Sequence, residues 1–244
     1  MFSFFKKKNK IQYPDFFPIK SDMHSHILPG LDDGASDVEA SLQLVRGMMD
    51  LGIKKAVATP HIIDDLYRNN PSTINAALGL LQSELNKEGL DFEVSAAAEY
   101  MIDSHFLQLI KNRENLLTIK DNLILTEFSY ASSPDDPFRI CFEIIMAGYK
   151  PILAHPERYP YFNRNLKVYS KLSEQGFLFQ VNLLSLTGYY GKDVAQAAIY
   201  LIGNNMVAYL GTDLHHLRHL EALSDPKNRT LFHELLSHRS WNLF

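Results

Sequence analysis

The sequence of 244 residues has a single cysteine, Cys141, and a single tryptophan. One thiol forms no intramolecular disulfide and no thiolate zinc cluster, so any metal must be held by histidine and carboxylate, and a reducing compartment is expected. A cysteine-dependent phosphatase is excluded too, because its Cys-x5-Arg loop would need arginine where the chain has Ala147. No apolar run approaches the ~18–20 residues of a membrane span. In Met1–Lys10 the lysines follow the phenylalanines, the reverse of a secretory signal, so a cytoplasmic protein is expected. Neither sign of charge dominates: 24 basic against 28 acidic side chains give −4, which argues against a phosphate-neutralising nucleic-acid face. Internal repeats, low-complexity tracts and Ser/Gly linkers are absent as well. Residues 1–20 are therefore read as an N-terminal extension, rich in Phe and Lys, and 21–244 as one domain large enough to bury its own core.

Seven short, mostly continuous apolar segments recur, each followed by a loop and usually a helical pattern, as for strands covered on both faces of a parallel sheet. They are Ile19–Met23, Lys55–Thr59, Glu93–Ala98, Leu123–Thr126, Pro151–Ala154, Phe177–Asn182 and Met206–Gly211. Helices are predicted over Val38–Leu51, Ser72–Lys87, Phe138–Ala147, Leu166–Gln175, Asp193–Gly203 and Asn228–His238, several bounded by Asp, Pro or Gly signals. Seven such units predict an α/β fold, a TIM-like (β/α)7 barrel, with an open doubly wound sheet as the alternative.

Barrel enzymes build their sites at the C-terminal ends of the strands, and there this sequence concentrates its metal-capable residues. The strand ends carry His24 and His26 with Asp32-Asp33-Gly34 just beyond, then His61, Glu99, Glu127, His155, and finally Asp213 with His215. Only the sixth, with Gln180 and Asn182, offers no such ligand. Taken singly, a histidine here reads as a satisfied core residue. Together, five histidines and four carboxylates at one end of the strands would be an electrostatic liability unless divalent cations neutralised it. Strand alternation puts His24 and His26 on one side, able to share an ion. Imidazole and carboxylate suit zinc, iron or manganese.

The motifs Asp-x-His-Ser-His, Asp-Asp-Gly, Thr-Pro-His, Thr-Glu-Phe-Ser, Ala-His-Pro-Glu-Arg-Tyr and Thr-Asp-x-His, from about Ser21 to His219, resemble the PHP (polymerase and histidinol phosphatase) superfamily. Within it, the chain is most similar to the metal-dependent bacterial protein-tyrosine phosphatases of capsule and exopolysaccharide synthesis. The resemblance implies a distorted (β/α)7 barrel with three divalent ions, Mn2+ in first place, with Fe, Co or Zn as substitutes. It assigns His24, His26, Glu99 and Asp213 to one ion, Glu99, Glu127 and His155 to a second, and Asp33 (or Asp32), His61 and His215 to a third. Four carboxylates against six positive charges leave about +2, suited to a phosphate dianion. The implied reaction is phosphotyrosine hydrolysis by a metal-activated hydroxide. The implied substrate is a phosphotyrosine protein, the tail of a bacterial tyrosine kinase. Arg158, three residues after His155, is expected to grip phosphoryl oxygens. Arg218, three after His215, is the second candidate, although the family's arginine stands a few residues later. His216 and metal-bound water are candidate acids, and the 62–70 loop with Tyr67 is a candidate substrate lid. His105, His219, His233 and His238 are assigned no metal. Alternatives are a histidinol phosphatase or other small-molecule phosphoesterase, a phosphodiesterase, and a non-catalytic metal-binding regulator.

Overall fold

The computed structural model describes residues 17–162 and 165–242. The aromatic and lysine-rich stretch Met1–Lys10 lies outside them. Among the described residues there are nine strands: β1 (Ser21–Asp22), β2 (Lys55–Ala58), β3 (His61–Ile62), β4 (Glu93–Ala96), β5 (Glu99–Met101), β6 (Leu123–Glu127), β7 (Lys150–Ala154), β8 (Leu178–Asn182) and β9 (Val207–Gly211). All paired strands are parallel, in a three-stranded sheet β1-β2-β4 and a six-stranded sheet β3-β5-β6-β7-β8-β9.

The nine strands make seven staves. β2 runs into β3 and β4 into β5, and the pairing keeps one register across both gaps, Ala58 opposite Ala96 and His61 opposite Glu99. Pro60 causes the break. Ala97 N–H donates to Ala58 O and Glu99 N–H to Pro60 O, but proline has no N–H to return the bond between them. The second and third predicted strands, Lys55–Thr59 and Glu93–Ala98, therefore resume past their predicted ends as β3 and β5. The first and last staves meet along a seam. At its upper end Ser25 bridges Leu214, with Asp213 N–H donating to His24 O and His26 N–H to Leu214 O. At its lower end Asn242 takes the place of a strand, accepting from Leu210 N–H and donating to Ser21 O and Leu210 O. Between them Asp22 accepts from Thr212 N–H and from its hydroxyl.

A small apolar cluster takes one or more residues from every stave: Met23, Val57, Ala97, Leu125, Ile152 and Ala154, with Leu178 and Tyr209 against it. It fills the space inside the ring, as in a barrel core. The larger core lies outside the ring, under helices α1 (Val38–Asp50), α2 (Pro71–Lys87), α3 (Ser104–Asn112), α4 (Pro137–Met146), α5 (Lys167–Gln175), α6 (Lys192–Gly203), α7 (Leu217–Ser224) and α8 (Pro226–Leu236). Asp37 caps α1 by accepting from Ala40 N–H, and Asn70 caps α2 in a reciprocal box with Thr73 ahead of Pro71. α3 and α7, unpredicted, have nine and eight residues and bury only two and three side chains, too few for a periodic pattern to stand out. Phe17 and Ile19 are buried in the same core, Phe17 edge-on to Phe232 of α8. No helix among the described residues is long and apolar enough to cross a membrane.

Candidate functional site

The loops after the strands bring all nine predicted ligands to one end of the ring. Two of them, His155 (φ 33°) and Asp213 (φ 50°), have left-handed backbones, a conformation that costs an L residue about 1–2 kcal/mol and is found where a site dictates side-chain direction. Gly34 lets the loop after β1 fold back, since a Cβ there would lie 2.1 Å from His26 O.

At the centre four donor atoms face one another. His24 Nε2 is 3.2 Å from His26 Nε2, 3.1 Å from Glu99 Oε2 and 3.4 Å from Asp213 Oδ1. His26 Nε2 is 3.4 Å from both carboxylates. His24 Nδ1 lies 2.7 Å from Gln180 Oε1 and His26 Nδ1 lies 2.7 Å from Asp32 Oδ2, so each ring spends its proton there and turns a lone pair inward. Two facing lone pairs repel unless a cation lies between them. Ligands ~2.0–2.2 Å from one ion are themselves roughly 3.0–3.5 Å apart, which matches this set.

The remaining ligands surround it. His155 Nε2 is 3.0 Å from Glu99 Oε1, and His61 Nδ1 is 3.0 Å from Glu127 Oε1 and 3.3 Å from Glu99 Oε2. Glu99 Oε1, Glu127 Oε1 and His61 Nδ1 are buried without a hydrogen bond despite these approaches, as atoms awaiting a cation would be. Asp33 Oδ1 stands 3.7 Å from His61 Nε2 and 3.5 Å from His215 Nε2, with His26 close by. Asp32 is turned away, accepting from His26, Gly34 N–H and His61 N–H. It orients the loop and His26.

Several participants escaped the sequence reading. Gln180 and Asn182, on the stave that offered no ligand, form a relay in which Gln180 Nε2 donates to Asn182 Oδ1 and Asn182 Nδ2 to Asp213 Oδ2. Tyr130, three residues after Glu127, holds its hydroxyl 3.1 Å from His155 Nδ1. The signal is present in both cases, since all three lie at or just past strand ends, but amides and phenols are poor metal ligands and do not stand out there. Asp22, from the first motif, stitches the seam, and burial raises its carboxyl to about 6.

A cavity of about 250 Å³ opens above the cluster, lined by Tyr130, Arg158, Tyr190, His216 and His219 among others. Arg158 Nη1 donates to Asp213 Oδ2 at 2.7 Å. Arg218 is exposed on α7, outside the lining, because the helix carries it one turn beyond His215. His219, assigned no metal, accepts from His215 N–H beside the cavity. Tyr67 stacks on His61, ring centres 5.7 Å apart, and its loop is pinned by an Ile63–Tyr67 bridge.

The pocket's charges are balanced by protons when no cation is present. Burial opposes protonation of His24, but Glu99 and Asp213 outweigh it and hold the imidazole at about 9. Against the same burial, Asp32 foremost raises His26. Burial and the charge of Glu99 push Glu127 up to about 7. Burial moves His155 the other way, to about 4.

The family model for capsular polysaccharide synthesis, CpsB/CapC, matches residues 20–223. The tyrosine-protein phosphatase YwqE of Bacillus subtilis (strain 168) is 31% identical over 198 residues, 81% of this chain and 78% of that protein. The tyrosine-protein phosphatase CpsB of Streptococcus pneumoniae is 29% identical over 204 residues, 80% and 83% of the two chains. A crystal structure from work on YwqE and CpsB, described as unique metal-dependent tyrosine phosphatases, superposes with TM-score 0.76 at 29% identity, covering 92% of this chain and 96% of that one. The zinc-containing histidinol phosphate phosphatase of Lactococcus lactis shares the fold, with TM-score 0.58 at 13% identity over 91% of this chain and 94% of that one.

Proposed function

The chain belongs to the CpsB/CapC family of capsular polysaccharide synthesis, and from that premise we propose that it is a metal-dependent protein-tyrosine phosphatase acting in the cytoplasm in the control of polysaccharide synthesis. The observation that carries the reading is the pair His24 and His26, whose Nε2 atoms lie 3.2 Å apart and each 3.1–3.4 Å from a Glu99 and an Asp213 oxygen, with both Nδ1 atoms engaged elsewhere. His24, His26, Glu99 and Asp213 would hold one divalent ion, Glu99, Glu127 and His155 a second, and Asp33, His61 and His215 a third, manganese being the first choice. When bound, such ions supply a water of lowered pKa and positive charge for phosphoryl oxygens.

The chain's own residues do the rest. Arg158 binds phosphoryl oxygens through the N–H groups that Asp213 leaves unused. Asn182 and Gln180 keep Asp213 and His24 in place while the ester turns over. A cavity of about 250 Å³ accepts a phosphorylated side chain, not a folded nucleic acid, and the substrate is assigned to a phosphotyrosine segment such as a tyrosine kinase tail. His216, exposed at the cavity wall, and metal-bound water are the candidate proton donors to the leaving phenolate.

The test is phosphate release from a phosphotyrosine peptide and from histidinol phosphate, side by side, on protein stripped with chelator and refilled with manganese. Metal-dependent turnover of the peptide is expected. Turnover of histidinol phosphate alone would reassign the substrate to amino-acid metabolism, and failure on both would refute the phosphomonoesterase reading.

A further inference from the structure

Arg158 is the one lysine or arginine among the described residues lining the cavity. Its guanidinium is restrained by groups that leave most of its donors unspent. Nη1 donates to Asp213 Oδ2, and this is its one hydrogen bond among the described residues. The rest of the restraint is aromatic: the guanidinium carbon lies 4.3 Å from the ring centre of Tyr190 and 5.2 Å from that of Tyr130. A ring face attracts a guanidinium and fixes its plane without consuming N–H groups, so donors remain for an oxyanion.

Tyr190 is delivered to this position by a built turn. Gly188 (φ 81°) and Gly191 (φ 106°) bracket Tyr189–Tyr190, and Gly191 N–H donates to Gly188 O at 2.9 Å. Only glycine takes those angles without strain, so the turn is specified at both ends. The Tyr190 hydroxyl is buried and makes no hydrogen bond among the described residues. The contact with Arg158 is therefore made by the ring face and not by the phenol oxygen.

We infer that Tyr190 is a positioning residue: its ring, together with that of Tyr130, holds the Arg158 guanidinium ready for a phosphoryl group and thereby sets the site's affinity for phosphate. The inference rests on the phosphatase reading for its substrate. The Arg158 contact itself is independent of that reading.

The experiment compares Tyr190→Leu, which removes the π face, with Tyr190→Phe, which keeps it, on manganese-loaded full-length protein. Inorganic phosphate binding is titrated by calorimetry, kcat and KM are measured with p-nitrophenyl phosphate, and metal content and melting temperature are recorded. Tyr190→Leu is expected to weaken phosphate binding and lower kcat/KM about tenfold each. Tyr190→Phe stays within about twofold of wild type, and metal content is the same in all three proteins. In an Arg158→Ala background Tyr190→Leu adds no further loss, because the residue acts through Arg158. Unchanged phosphate affinity in Tyr190→Leu, an equal loss in Tyr190→Phe, or additive losses in the double variant would overturn the assignment. Should Tyr190→Leu fail to fold, Tyr190→Met carries the same expectation. A wild type that binds phosphate but turns over no phosphomonoester refutes the phosphatase reading alone. A wild type that binds no phosphate refutes the role given to Tyr190.

Discussion

Four of the five clustered histidines have a partner at Nδ1: Gln180 for His24, Asp32 for His26, Tyr130 for His155 and the Asp213 carbonyl for His215. His61 differs, with both nitrogens toward carboxylates. Such anchoring decides which nitrogen is free, and the proton held by the inward nitrogen then becomes measurable. His24 is raised from its ordinary 6.5 to about 9, so in stripped protein it is charged across the neutral range. That proton's contribution to apoprotein stability is full below pH 6.5 and is lost as pH rises through about 9. A cation must displace it. Metal uptake is expected to release protons at pH 7.5, seen as calorimetric heats that vary with buffer, and apparent affinity should climb with pH and level off near 9; pH-independent affinity would contradict this protonation scheme. Arg158→Ala should lower kcat/KM roughly 10²–10³-fold, the usual loss for one preorganised oxyanion donor. Metal content should hold, because Asp213 Oδ2 keeps the 2.7 Å bond from Asn182. Loss of metal by elemental analysis would instead make Arg158 a structural support.

Whole elements are held to tolerances that single contacts reveal. Gly211 ends β9 where it passes β8 and the chain after β1: a Cβ there would lie 2.6 Å from Gln180 Nε2 and 2.8 Å from His24 Cβ. Gly211→Ala should therefore displace His24 and the amide relay together, costing about 1–3 kcal/mol in stability and depleting metal. Thermal melts paired with metal analysis check this, and a variant with full metal and an unchanged melt would show that the stave can shift. Legibility in sequence divides along the same lines. Strand positions were readable because buried parallel strands carry short unbroken apolar runs, as residues 123–125 in β6 and 151–154 in β7. The break at Pro60 was not, because a missing donor matters only once the neighbouring stave is known. The gathering of histidine and carboxylate at one end was readable because so many of them stand together at the strand ends. Gln180 and Asn182 were not, since an amide gains its role from a partner 156 or 31 positions away. Arg158 and Arg218 are indistinguishable by spacing, each three after a histidine; the short turn after His155 points one at the cavity and α7 carries the other into solvent.

The molecule as a whole is a ring with a buried cluster of histidines and carboxylates at one end. Glu99 and Asp213 are fully buried or nearly so and lie within 3.4 Å of shared histidines. Removing cations leaves them to be balanced by protons alone, so chelation should lower the melting temperature by about 5–10 °C, the effect of losing a ligand present at ~100 times its Kd. Readdition of manganese should restore it; a melt indifferent to chelator would mean the cluster holds no structural cation. The seam between first and last staves also has a side that belongs to time. Translation delivers His24 and His26 early, and the partner stretch across the Thr212–Asp22 bond follows 190 positions later, roughly 10–40 s at ~5–20 residues per second. Until then a nascent chain offers imidazoles without the Asp213 carboxylate that completes their set. Tight cation capture by this set would thus wait for the seventh stave, and a bound ion would report that synthesis had passed Asp213 and that the ring had closed.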